Sequence, residues 1–178
     1  NPNPYAGECC FNLGLALAAD GQDDKAYDAF YKSTWSSETQ GQGFYWLASI
    51  DCKRGEYEKA LEFVSKSMVS GWHNMKARTL KAAILRKLGR SNTKLLEESI
   101  EIDPLYMGCL YEKALADDNL ESWKQAMRGD AHNYLELALD YMKAGLYTDA
   151  ITILGSCQDT NPLLKYYQGY VYSLAGKP

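Results

Sequence analysis

The chain has 178 residues, of which 46% are hydrophobic and 24% charged, with a net charge of −4 and a pI of about 5.2. This is the profile of a folded protein, and its acidic balance excludes a general nucleic-acid binder, which needs a basic excess to displace counterions. No apolar run reaches the ~18 residues of a membrane span and no signal-peptide pattern opens the chain, so a cytoplasmic location is expected. The five cysteines (Cys9, Cys10, Cys52, Cys109, Cys157) are odd in number and contain no C-x-x-C. Neither a disulfide framework nor a zinc site fits them, and they read as small buried apolar side chains.

In chain order, the first feature is Cys10-x-x-Leu13-Gly14-x-x-Leu17, followed by Gly21 and then Ala26-x-x-x-Phe30. Phe44-x-x-Leu47-Ala48 follows, with Gly55-Glu56-Tyr57, Ala60 and Val64. A third unit carries Ala82 and Gly89 but reaches Pro104 early, which predicts a second helix about two residues short. The next, about 105–128, lacks a turn glycine, has Asp117-Asp118-Asn119 in its place, and leaves a short second helix over 120–127. Tyr134-x-x-Leu137-Ala138-x-x-Tyr141 is the most regular, with Gly145, Ala150, Leu154 and Pro162, and a single helix ending near Gly176 closes the chain.

Gly21, Gly55 and Gly89 are each 34 residues apart, and a small residue stands seven positions before every turn glycine: Gly14, Ala48, Ala82, Ala138 and Gly169. A glycine after an amphipathic run suits the left-handed backbone that ends a helix, and a small residue lets two helices approach closely. An alanine followed four residues later by a bulky side chain puts a notch and a knob on one helical stripe. Pro104 and Pro162 read as starts of hairpins, where a missing N–H costs a helix nothing.

These in-phase features resemble the tetratricopeptide repeat over essentially the whole chain. The resemblance implies an all-α, right-handed superhelical solenoid of antiparallel hairpins with about 11 helices. The units are expected at about 5–38, 39–72, 73–104, 105–129 (irregular), 130–161 and 162–178 (a half unit), with the irregular unit changing the superhelix pitch. A narrower resemblance rests on Asn12–Leu17, Tyr27–Trp35, Leu47–Cys52 and Asn74–Arg78. These are similar to the repeat region of an uncharacterised bacterial family that pairs such repeats with a preceding mutarotase-like β-sandwich. With no starting methionine and a half unit at its end, the chain reads as a fragment of a longer protein.

Catalytic chemistry is not evident. His73 and His132 stand alone at the starts of two helices, with no partner at ligand spacing. Gly41-Gln42-Gly43 lacks the strand and lysine of a phosphate loop and reads as a joint between hairpins. Paired acids such as Asp23-Asp24 read as solvated helix starts, whereas Asp51 and Asp140, inside apolar helices, read as hydrogen-bond acceptors for a neighbouring hairpin. No cofactor, no metal and no catalytic residue is expected.

In the implied architecture the first helix of each hairpin lines the concave face. Helical phase places Phe11, Leu15, Tyr45, Ser49, Lys76, Arg86, Lys87, Tyr111, Leu135, Tyr166 and Tyr170 on this face. Phe11, Leu15, Tyr45 and Trp46 stand where carboxylate-gripping tetratricopeptide clamps need lysine and asparagine, which argues against that function. The seven basic residues between Lys76 and Lys94 read either as a solvated face balanced by Glu97, Glu98, Glu101 and Asp103, or as a dock for an acidic segment.

The function expected is a protein-interaction scaffold holding a peptide, a protein domain or another domain of the same chain in an aromatic groove with a basic centre. Self-association through the exposed last helix is a further expectation, and nucleic acid and membrane are not expected partners. The alternative is an accessory module of a carbohydrate-active or sugar-binding multidomain protein. The groove reading implies that Tyr45→Ala with Arg86→Ala weakens capture while leaving melting unchanged.

Overall fold

The computed structural model describes residues 7–176. The expected outer limits of the first and last units, before Gly7 and after Gly176, lie outside them. Eleven helices are present among the described residues. They run as α1 (Gly7–Ala19) with α2 (Asp23–Ser33), α3 (Gln40–Lys53) with α4 (Tyr57–Ser70), and α5 (Met75–Lys87) with α6 (Thr93–Ile102). Then come α7 (Met107–Ala116) with α8 (Leu120–Met127), α9 (Ala131–Lys143) with α10 (Tyr147–Gly155), and an unpaired α11 (Pro162–Leu174). No described helix is long and apolar enough to cross a membrane.

The turns explain the hairpins. Gly21, Gly55, Gly89 and Gly145 all take positive φ after their first helices, as only glycine does without strain. In the irregular unit Asp118 takes that role at φ 51, and Arg128 ends α8 at φ 55. Asn74, Asp130 and Asn161 cap α5, α9 and α11 with side-chain oxygens that accept backbone N–H groups at 2.9–3.1 Å. Pro162 occupies the first turn of α11, but Pro104 lies in the turn before α7 rather than in the helix.

Within each hairpin the notch-and-knob pattern is filled as its chemistry requires. Ala26, Phe30, Ala60, Val64, Ala150 and Leu154 are all fully buried. A Cβ at Gly14 would lie 2.6 Å from the ring of Phe30, so only glycine lets α1 sit that close to α2. Gly41-Gln42-Gly43 is not a joint: it forms the first turn of α3. A Cβ at Gly43 would meet Ser33 Oγ at 2.6 Å and the Phe30 carbonyl at 3.1 Å. The glycine is there for close crossing of α2, a demand that sequence alone confuses with flexibility.

Two of the five cysteines, Cys52 and Cys109, are buried, whereas Cys9 is exposed and Cys10 and Cys157 are half-buried. Burial pushes the Cys52 thiol up to about 12, and burial likewise raises Cys109. A thiol-reactive dye is therefore expected to label Cys9 at once, and Cys52 and Cys109 only after denaturation. A chromatographic count of labelled peptides with time checks this.

Asp51 is fully buried in α3 and accepts a 3.2 Å hydrogen bond from Tyr27 Oη of the preceding hairpin, the role expected of it. Arg54 lies 3.5 Å from its other oxygen. Burial raises the Asp51 carboxyl above its usual range, outweighing the nearby cations and the Tyr27 hydrogen bond. The folded state thus holds this proton more tightly than the unfolded chain. The group's contribution to stability grows as pH falls through its folded pKa and is lost as pH rises through it. Asp51→Asn is expected to be at least as stable as the parent at neutral pH, with the difference narrowing toward about pH 4. Urea midpoints measured in parallel across that range test the sign.

The fourth hairpin is short. α8 has only 8 residues, and the helix after it, α9, packs on α3 as well as on α7. A Cβ at Gly145, in the α9–α10 turn, would stand 2.6 Å from Lys53 Cα at the end of α3. Lys143 Nζ sits 5.9 Å from the centre of the Trp46 ring. The middle of the solenoid is closed upon itself, and one continuous core runs from Ala48 and Cys52 through Tyr111, Trp123 and Tyr141 to Val171.

Candidate protein-binding groove

This closure sorts the residues that helical phase had placed together. Tyr111 is not free for a partner: at 1% exposure it packs on Trp123 at 4.9 Å and edge-on to Tyr141 at 5.4 Å. Ser49 and Leu135 are also buried, at 1% and 7%. Helical phase took all three for open, whereas each is buried where α9 packs near α3 and α7. Leu15 is half-buried in the small core of the first hairpins. Tyr166 and Tyr170 are exposed on α11, stacked 6.4 Å apart, away from the groove.

Arg86 and Lys87 belong to a structural network rather than an open patch. Arg86 donates from Nε and Nη2 to the two carboxylate oxygens of Glu112, both at 2.9 Å, and from Nη2 to Asp149 Oδ1 at 2.9 Å. Tyr141 Oη donates to Glu112 Oε1 at 2.6 Å, and Lys87 Nζ lies 3.5 Å from Asp149. Glu112 is fully buried. Burial works against the Arg86 charge, but the hydrogen bonds and charge of Glu112 outweigh it and hold the guanidinium above its usual range. Burial first, and Glu112 second, push the Tyr141 hydroxyl well up. Four helices, α5, α7, α9 and α10, meet at this one cluster.

The rest of the basic run is mostly satisfied as well. Arg78 is buried, donating to the Trp72 carbonyl at 2.9 Å and to Ser99 Oγ at 3.2 Å, with its guanidinium 4.2 Å from the Trp72 ring. Arg90 pairs with Glu58 of α4, and Lys76 with Asp140 of α9 at 2.9 Å. The balancing acids therefore come chiefly from distant helices and not from Glu97, Glu101 and Asp103. Glu98 alone of the expected set approaches, at 4.0 Å from Arg78.

What stays open is a seam beside α9, made of three adjoining clefts that all share Asp140. At one end Phe11, Gln42, Tyr45, Trp46, Asn74 and Lys143 line a cleft of about 570 Å³. In the middle Tyr45, Lys76 and Tyr106 surround an apolar floor of Leu80, Ala83 and Leu137. At the other end Asp103, Leu105, Tyr106, Met107, Asn133 and Glu136 line a cleft of about 670 Å³. Of the expected groove residues, the structure brings Phe11, Tyr45 and Lys76 together here. Tyr106, Glu136, Asp103 and Lys143 were not anticipated, since their membership depends on how α9 closes. Burial, followed by the charge of Asp140, raises the hydroxyls of both Tyr45 and Tyr106, so both stay neutral hydrogen-bonding groups.

Among the described residues no group of three or more histidine, cysteine or carboxylate side chains is placed to hold a metal ion. No protein-family model matches the chain. Among solved structures it is similar to the MamA protein, a tetratricopeptide-containing protein. The match has 16% identity and a TM-score of 0.58, covering 85% of this chain and 90% of that one. At that identity the likeness is one of fold, and with ten of the eleven described helices paired into five hairpins the chain is a tetratricopeptide-like α-solenoid.

Proposed function

We propose that this segment is a protein-interaction scaffold that acts by binding, without catalysis, and holds an extended peptide segment of a partner in the seam beside α9. The observation that carries this reading is the row of aromatic side chains along two adjoining clefts, Phe11, Tyr45 and Trp46 in one and Tyr45 and Tyr106 over the apolar floor of the next. Half-exposed aromatics flanked by polar groups are the usual anchors of protein recognition. The concentration of charge at the two ends, with Asp140 between them, gives a bound chain a direction.

The test separates this seam from a second exposed apolar surface, the α11 stripe of Leu163, Tyr166, Tyr170 and Leu174. Peptides selected from a random library on the parent protein are measured against two variants. One is Leu105→Ser with Lys143→Ser, both exposed positions on the seam. The other is Tyr166→Ser with Tyr170→Ser. Each variant is first checked for unchanged melting. Binding weakened about tenfold or more by the seam changes alone supports the proposal. Binding that survives them and is lost with the α11 changes moves the site to the last helix.

A further inference from the structure

The charges left over after internal pairing point to the chemistry of the partner, an inference that rests on the groove reading above. At the α3 end of the seam two cations, Lys76 and Lys143, share the single carboxylate of Asp140, at 2.9 and 3.6 Å. That end retains one net positive charge, with Lys143 Nζ 5.9 Å from the centre of the Trp46 ring. At the α7 end, Asp103 and Glu136 face the same cleft, and among the described residues neither has a cation within 4 Å. Asp103 accepts only its own turn's N–H, from Leu105 at 3.0 Å. Glu101, two residues before it in sequence, is exposed and likewise without a cation within 4 Å among the described residues. Of the basic run that suggested an acidic partner, Lys76, Arg86, Lys87 and Arg90 are spent on Asp140, Glu112, Asp149 and Glu58.

We infer that the groove takes a cationic peptide segment, with a lysine or arginine seated between Asp103 and Glu136. An adjoining apolar side chain rests on Leu105 and Tyr106, and the segment's uncharged or acidic end runs toward Lys143. The apolar wall matters because it takes the stem of a long basic side chain while its head reaches the carboxylates. A purely acidic segment would place like charges against both carboxylates, which is costly in a cleft. An excess of two carboxylates over cations at one end makes binding salt-sensitive.

The experiment uses three labelled 12-residue peptides on one leucine–phenylalanine–alanine frame, carrying three lysines, three glutamines or three glutamates. Affinities are read by fluorescence anisotropy, and location by amide hydrogen exchange. The lysine peptide is expected to bind at least roughly tenfold more tightly than the glutamate peptide, and to slow exchange in α9 and at the start of α7. Asp103→Asn with Glu136→Gln should remove most of that preference and leave the glutamine peptide unaffected. Asp28→Asn with Glu38→Gln, exposed positions away from the seam, makes the same change in net charge and should leave it intact.

Equal weakening by both double variants would reduce the effect to long-range attraction and overturn the inference. Seam protection without any charge preference would overturn the cationic assignment while leaving the groove standing. Binding of every peptide outside the seam would overturn both.

Discussion

Replacing Arg86 by alanine is expected to destabilise the protein by roughly 3 kcal/mol, even though its side chain is about 27% exposed. The change leaves Glu112 fully buried and charged, with only the Tyr141 hydroxyl to compensate it. Removing one member of a buried pair commonly costs ~3–5 kcal/mol, because the remaining ion keeps its desolvation penalty. The lower end applies, since about 27% of the Arg86 side chain is exposed and water can enter. Arg86→Met with Glu112→Leu should recover much of the loss, because two apolar side chains leave no orphaned charge. Urea denaturation of the parent and both variants is the measurement. A single variant within ~0.5 kcal/mol of the parent would mean the cluster is dispensable. The same geometry argues against the expectation that Tyr45→Ala with Arg86→Ala leaves melting unchanged.

The second large effect is at Gly145. An alanine there takes a left-handed backbone at φ 71, which alone costs about 1–2 kcal/mol. Its Cβ would also stand 2.6 Å from Lys53 Cα, a backbone atom that cannot rotate away. Gly55 is the natural control, with φ 77 and no atom within 4 Å of a new Cβ. Gly55→Ala should therefore show the backbone cost only, and Gly145→Ala should exceed it by 1 kcal/mol or more, on the order of an overpacked contact. Small-angle scattering should show expansion for Gly145→Ala alone, as α9 parts from α3. Equal costs and equal radii for the two variants would mean that the closure bears no load.

The contrast between these residues explains what the sequence could reveal. Turn glycines, notch alanines and the bounds of α8 are local: each follows from a spacing of a few residues and a steric rule, so the hairpins and the solenoid class were legible. The partners of Arg86 were not. Glu112 and Asp149 lie one and two hairpins further on, and nothing in a period of 34 residues says which acids will face which cations. Tyr111 failed for a related reason. Phase gives a side chain's direction, but whether that direction is open depends on where α9 packs. The seam itself runs along α9 and is lined also by residues of α3 and α5. Phe11, Tyr45 and Lys76 could be read from phase because they lie on helices the closure leaves accessible, whereas Tyr106 and Asp103 sit in a turn with no phase at all.

The closure of α9 onto α3 also bears on how the chain folds and fails. A stacked array ordinarily behaves as a line of nearest neighbours, gaining stability unit by unit and fraying from its ends. Here Lys76 joins Asp140 and Arg86 joins Asp149 across more than 60 residues of chain, and Lys53 bears on Gly145. Such contacts lift the mean sequence separation above that of an open solenoid, which slows folding, since distant ends must meet before the reward arrives. They also join the second, third, fourth and fifth hairpins into one cooperative block. Deleting α9 and α10 would then loosen the hairpins before them rather than trim the end, while the small aromatic core shared by the first two hairpins lies outside those long-range contacts.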